Sequence, residues 1–197
     1  MIRLLTVCTG NICRSPYAER MLQKEFDALH PGLFQVASAG TASMAGDGME
    51  AESAQLLAAL GGSSEGFISR QLTPQILAGS ELVLAMTVAH RDAVIRLSPR
   101  MLKRAYTLIE FARILRTLKS DAGAQVPLGG SPGQVEARWA AMPGLAATFR
   151  SSSRPSAAGD DVVDPYLRSS TTHQRMVEEI MPAVEEIVAF EAWCSGS

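Results

Sequence analysis

The chain has 197 residues, 47% hydrophobic and 19% charged, with a formal net charge of −2 and a pI near 5.9. That balance fits one globular domain with a real core and lacks the basic surplus that a general nucleic-acid footprint needs. No apolar run approaches the ~18 residues required to span a bilayer, and the first residues, MIRLLTVCTGN, are too short an apolar stretch for a secretory signal. Cys8, Cys13 and Cys194 are too few for a disulfide framework and lack a second zinc-type pair, which points to a reducing cytoplasm.

Residues 2–7 (IRLLTV) are short, apolar and bounded by glycine, as a buried strand is. Ser15-Pro16 opens a helix, YAERMLQKEFDAL, with Ala18, Met21, Leu22, Phe26 and Leu29 on one side. A second strand is expected over 33–40, a helix over 49–60 ending at Gly61-Gly62, a third strand over 81–86 and a helix from about 88 to 97. A short fourth strand fits 104–108, followed by the helical spacing of EFARILRTLK. Strands alternating with helices predict an α/β fold, a parallel sheet covered on both faces.

The stretch from Ser120 to Asp161 is rich in Gly, Ser, Pro and Ala. It reads as a long surface insertion, with a helical turn or two expected in VEARWAAM before Pro143. The final segment, TTHQRMVEEIMPAVEEIVAFEAW, reads as an amphipathic helix in which Pro182 predicts a kink or break.

Chemistry concentrates in Val7-Cys8-Thr9-Gly10-Asn11-Ile12-Cys13-Arg14-Ser15-Pro16. A compact loop between a strand and a helix N-terminus aims backbone N–H groups inward and makes an anion nest from residues 8–15. Within it Thr9, Gly10, Asn11, Ile12, Cys13, Arg14 and Ser15 are the phosphate-binding candidates. The amides and Arg14 favour the thiolate of Cys8, and the planar guanidinium matches two phosphate oxygens. The implied reaction is in-line attack of sulfur on a phosphoryl group, giving a phosphocysteine with no metal or cofactor required. Gly10 permits a tight turn, Asn11 tolerates unusual backbone angles, and Ser15 is placed to donate to the Cys8 sulfur. Cys13 reads equally as a reversible disulfide partner of Cys8 or as a small core residue. Cys194 reads as a bystander.

The string CTGNICRSP resembles the C-x-G-N-x-C-R-S-P signature of the low-molecular-weight protein tyrosine phosphatases. Ser38-Ala39-Gly40-Thr41, Ser69-Arg70-Gln71-Leu72, Leu84-Ala85-Met86 and Asp164-Pro165-Tyr166 resemble further segments of that family. The resemblance covers the chain as one domain except for an insertion at about 116–161. It implies a three-layer fold with a four-stranded parallel sheet, and hydrolysis of phosphotyrosine in proteins or of small aryl phosphates. It also implies that Asp164 is the general acid. A tyrosine leaves as a phenolate with a pKa of ~10, so a proton donor helps at neutral pH. Asp160 and Asp161 read as solvated loop charges and as a fallback for the acid. Tyr166 and Met44 are the candidate pocket walls.

Three positions depart from the family pattern. Phe67 stands where a histidine often supports the loop, Thr87 where an aspartate often follows the third strand, and Leu167 where a second aromatic often occurs. His30 reads as a helix-end residue, and His90 and His173 as surface or first-turn residues, none with a catalytic role. Arg138, Arg150 and Arg154 read as loop cations, with recognition of acidic peptides as the alternative. Two rival functions remain: an arsenate reductase on the same fold, disfavoured because only Cys194 lies beyond the loop, and a phospho-ligand module with little turnover.

Overall fold

The computed structural model describes residues 1–121, 125–151 and 159–196. Strands β1 (Ile2–Cys8), β2 (Phe34–Gly40), β3 (Leu82–Ala85) and β4 (Ala105–Thr107) form one parallel sheet in the order β2-β1-β3-β4. Each crossover carries helix, as parallel pairing requires: α1 (Arg14–Leu29), α2 (Ala51–Ala59), α3 (Pro74–Ala78), α4 (Val88–Leu97) and a 3-10 turn at Pro99–Lys103. Three further helices, α5 (Leu108–Ser120), α6 (Pro132–Phe149) and α7 (Ser170–Ser195), follow the last strand. No helix among the described residues is long and apolar enough to cross a membrane.

Side chains alternate across the sheet and build two cores. Leu4, Leu82, Leu84 and Tyr106 pack beneath α1, α5, α6 and α7, while Leu5, Val7, Val83 and Ala105 pack against Leu77 and Val94 of α3 and α4. The β1–β3 register sets Val7 opposite Ala85. Both strands therefore end at the same level, and the loops after them meet at the carboxyl edge of the sheet, where ligands of open α/β sheets bind.

The expected surface insertion is corrected. Residues 132–149 form one 18-residue helix that passes through Pro143. Val135, Trp139, Met142 and Ala146 recur every three or four residues and are buried, the spacing of a core-facing stripe. The Trp139 ring meets Phe26 and Phe34 edge-on, with centroids 5.6 and 5.2 Å away, while those two rings stack at 4.0 Å. The Pro143 carbonyl accepts a hydrogen bond from the Tyr106 hydroxyl at 2.9 Å, and tertiary packing outweighs the proline's local cost. Pro182 likewise produces no break: α7 runs unbroken from Ser170 to Ser195.

The loop-cation reading is corrected as well. Arg138 is wholly buried and pairs with Glu191 on α7. Arg150 lies over the Tyr106 ring, 4.2 Å from its centroid, and donates to the Ala105 carbonyl at 2.7 Å. Arg154 lies outside the described residues. Cys194 is no frayed-end bystander: its side chain is buried, and its carbonyl accepts from Gly129 N–H at 2.8 Å.

Candidate active site

Residues 8–14 turn from the end of β1 into the first turn of α1, where helix geometry leaves N–H groups without intrahelical partners. Asn11 sits at φ 57°, a left-handed conformation that asparagine tolerates better than most residues. Its side chain ties the loop together. Asn11 Nδ2 donates to Ser15 Oγ (3.0 Å) and Ser38 Oγ (2.7 Å), while Oδ1 accepts from Arg70 N–H (2.8 Å). Ser15 thus accepts from Asn11, which leaves its own hydrogen for Cys8 Sγ at 2.9 Å. Asn11 N–H also donates to Cys8 Sγ at 3.3 Å. Two donors thus converge on one sulfur and fix its position.

The place of the family histidine is filled differently. Phe67 faces Arg20, 5.8 Å from the ring centroid to the guanidinium, and takes no part in the network. Ser38 Oγ donates instead to Glu19, and Arg70 Nε donates to the Ser38 carbonyl at 2.7 Å. Burial pushes the Glu19 carboxyl up, against the pull of the Ser38 hydrogen bond and of Arg20 and Arg70. The sequence carries no local signal for Glu19, because its role depends on α1 lying beside β2.

A cleft of about 240 Å³ opens over the loop, lined by Cys8, Thr9, Gly10, Ile12, Cys13, Arg14, Ala42, Met44, Asp164 and Tyr166. Of the catalytic, phosphate-binding and pocket candidates named from sequence, all but Asn11 and Ser15, which are fully buried, line this cleft. Arg14, 4% exposed, extends to the Asp164 carboxylate, with Nη2 and Oδ2 2.7 Å apart. The loop bearing Asp164 is pinned on three sides: Val162 N–H donates to the Met86 carbonyl (2.8 Å), Val163 N–H to Glu179 (2.7 Å), and Asp161 accepts from Val88 N–H (2.7 Å). Asp160 pairs with Arg113. Neither is a free solvated charge; both fasten the loop that carries Asp164.

His90 overturns its surface reading. It is 7% exposed, with Nε2 2.8 Å from Thr9 Oγ1 and Nδ1 2.9 Å from Thr87 Oγ1, and so links the loop after β1 to the cap of α4. Burial, reinforced by the Arg14 charge, pushes this imidazole down to about 4. The sequence signal lay in Thr87-x-x-His90, a cap residue and the third helical position, but nothing local reveals that Thr9 lies opposite. His173, also buried, contacts Glu50 Oε2 through Nε2 at 3.1 Å. Burial pushes the Cys13 thiol up to about 12, the behaviour of a core thiol.

The loop between β1 and α1 thus brings a cysteine and an arginine to one cleft with a facing aspartate. Residues 3–137 match the family model described as low molecular weight phosphotyrosine protein phosphatase, and the chain belongs to that family. The chain is 39% identical over 98 residues to the low molecular weight protein-tyrosine-phosphatase Etp of Escherichia coli K12, and 36% identical over 99 residues to Wzb of Salmonella typhi. Each match spans 50% of this chain and 63% of the relative, so the chain covers under two thirds of these curated relatives. The low molecular weight protein tyrosine phosphatase structure from T. tengcongensis superposes with a TM-score of 0.67 at 24% identity, covering 96% of this chain and 99% of that one. This likeness shows the fold. The family match stops short of Asp164, whose place in the site rests on the geometry above.

Proposed function

We propose that this chain is a cytoplasmic protein tyrosine phosphatase that hydrolyses phosphotyrosine, or a small aryl phosphate, through a phosphocysteine. The observation that carries this reading is the triangle at the cleft floor: Cys8 Sγ held by Ser15 and Asn11, with Arg14 and Asp164 in contact across it.

The phosphate dianion enters the nest and takes two oxygens to Arg14, while the loop amides bind the rest. Cys8 sulfur attacks phosphorus in line with the phenolic oxygen. Asp164, in its protonated form, gives its hydrogen to that oxygen as the P–O bond breaks. Water then attacks the phosphocysteine, Asp164 takes the water's proton, and Ser15 stabilises the departing thiolate. Ile12, Met44 and Tyr166 supply apolar walls to the cleft for the aryl ring, with Met44 and Tyr166 more than a third exposed at its mouth. The chain is read as one phosphatase domain that includes α6.

The test is steady-state hydrolysis of an aryl phosphate under reducing conditions with chelator present. Wild type turns over and Cys8→Ser does not. An inactive wild type, or a Cys8→Ser variant with full activity, sinks the assignment. Tight vanadate binding without turnover would instead indicate a binding module.

A further inference from the structure

Where the nest loop meets α2 and α7 lies a second group of ligating side-chain atoms with no part in the proposed hydrolysis. Cys13 Sγ, a carboxylate oxygen of Glu50 and an imidazole nitrogen of His173 all lie within 4.8 Å of one another. They come from three elements: the residue preceding α1, the cap of α2 and the first turns of α7. Cys13 and His173 are each 3% exposed. We propose that Cys13, Glu50 and His173 form a binding site for a divalent transition-metal ion of the zinc class.

The donor set suits such an ion. Thiolate, imidazole and carboxylate are the three ligand types that zinc accepts, and a thiolate with one carboxylate balances the ion's two charges. Bond lengths of about 2.0–2.3 Å place neighbouring ligand atoms about 3.4–3.6 Å apart, so atoms already within 4.8 Å of one another have about 1 Å to close. The Cys13 proton leaves to solvent as the metal–sulfur bond forms.

The surroundings are arranged as an outer shell. His173 Nδ1 lies 3.3 Å from the Ser169 carbonyl and 3.4 Å from Glu52, which holds the ring with Nε2 toward Glu50. Glu50 Oε2 also accepts from Ser53 N–H at 2.9 Å, a bond that survives if the ion replaces the imidazole contact. The Ser53 side chain is wholly buried and lies against two of the three ligands, the Cys13 sulfur and the Glu50 carboxylate. A buried hydroxyl so placed can donate to the thiolate or the carboxylate once an ion holds them. Cys13 also lines the active-site cleft, which gives an ion a way in. Occupancy would cross-link the nest to α2 and α7 and keep Cys13 from forming a disulfide with Cys8.

Cobalt(II) titration of the full chain, reduced with a phosphine, tests the site without reference to activity. One equivalent should bind with a thiolate-to-cobalt charge-transfer band that zinc displaces. Cys8→Ser should keep band and affinity. Cys13→Ser should lose the band, and His173→Gln and Glu50→Gln should weaken binding at least about 10-fold, with Glu52→Gln about 10-fold weaker through loss of its hold on the ring. Circular dichroism verifies folding of each variant, and His173→Gln decides if Cys13→Ser does not fold. Absence of the band in wild type overturns the site. So does a band lost in Cys8→Ser, which would place the ion on the nucleophile, or binding unchanged in His173→Gln.

Discussion

Arg14 Nη2 and Asp164 Oδ2 lie 2.7 Å apart, joining the start of α1 to a loop from the far end of the chain. An arriving phosphate competes with Asp164 for the guanidinium, and the carboxyl is left beside the dianion and the leaving oxygen, where a proton is most useful. Removal of this carboxyl should lower kcat for aryl phosphates by about 10²–10⁴-fold. Asp164→Asn should lose most with phenyl phosphate and least with a nitrophenyl ester, whose leaving group needs no proton. Equal losses across a leaving-group series would show that Asp164 does not protonate the product.

The guanidinium itself offers a second expectation. Arg14 is 4% exposed and donates to the Val162 carbonyl at 3.4 Å as well as meeting Asp164. Lysine keeps the charge but loses the fork that grips two oxygens while holding the acid loop. Arg14→Lys should therefore cost about 10²–10³-fold in kcat/KM. Steady-state kinetics with an unchanged thermal midpoint would locate the loss in the site.

His90 makes stability depend on pH. Its folded-state pKa of about 4 lies below the ordinary 6.5. The unfolded chain therefore takes up a proton below pH 6.5 that the folded chain refuses until about 4. The stabilisation is complete above 6.5 and is lost as pH falls toward 4, by about 3 kcal/mol at the limit. Urea unfolding near pH 7.5 and about pH 4.5 should show wild type losing about 2–3 kcal/mol more than His90→Asn over that range. Parallel losses in the two proteins would show that His90 is not a buried neutral imidazole.

Glu191 has the most densely bonded carboxylate of the core. It is paired with buried Arg138, accepts from Trp139 Nε1 at 2.8 Å and Ser195 Oγ at 2.8 Å, and meets His30 Nε2 at 2.9 Å. Burial pushes this carboxyl up, yet the hydrogen bonds from Arg138, Ser195 and Trp139 prevail and hold it below the ordinary range. Arg138→Met strands the charge and should cost about 3–5 kcal/mol in urea unfolding, while adding Glu191→Leu should recover a large part of it. A single substitution with no cost would mean that α6 is not anchored through this pair.

The legible parts of the sequence were those in which local pattern and global fold agree. Short apolar runs gave all four strands to within a residue or two, and the nest announced itself because Cys8, Arg14 and Pro16 are fixed by one continuous loop. What escaped depends on contacts distant along the chain. Glu19 joins the Asn11–Ser38 network only because α1 lies beside β2, and His90 reaches Thr9 only because β1 and β3 end level. Helix α6 was hidden by Pro143 and by flanking Gly and Ser, although the stripe Val135, Trp139, Met142, Ala146 has helical spacing. A proline there argues for a local cost, but Trp139 inserted among Phe26, Phe34 and Phe111 outweighs it.

Gly40 couples the end of β2 to the nest. At the end of β2 it accepts from Leu72 N–H and donates to the Arg70 carbonyl, so its backbone is held on both sides. A Cβ built there would lie 2.4 Å from the Thr9 carbonyl oxygen and 2.8 Å from Ser43 Cβ, closer than packed atoms allow. The strand cannot retreat without breaking the β1 pairing, so the Thr9 segment must yield instead. Gly40→Ala should cost about 1–3 kcal/mol by overpacking. Because the displaced carbonyl belongs to the residue after Cys8, kcat should fall by about 10²-fold, as expected for a 1 Å misplacement of reacting groups. Thermal unfolding and aryl phosphate kinetics on the same preparation check both. A variant that loses stability but keeps full kcat would show that the nest tolerates the shift.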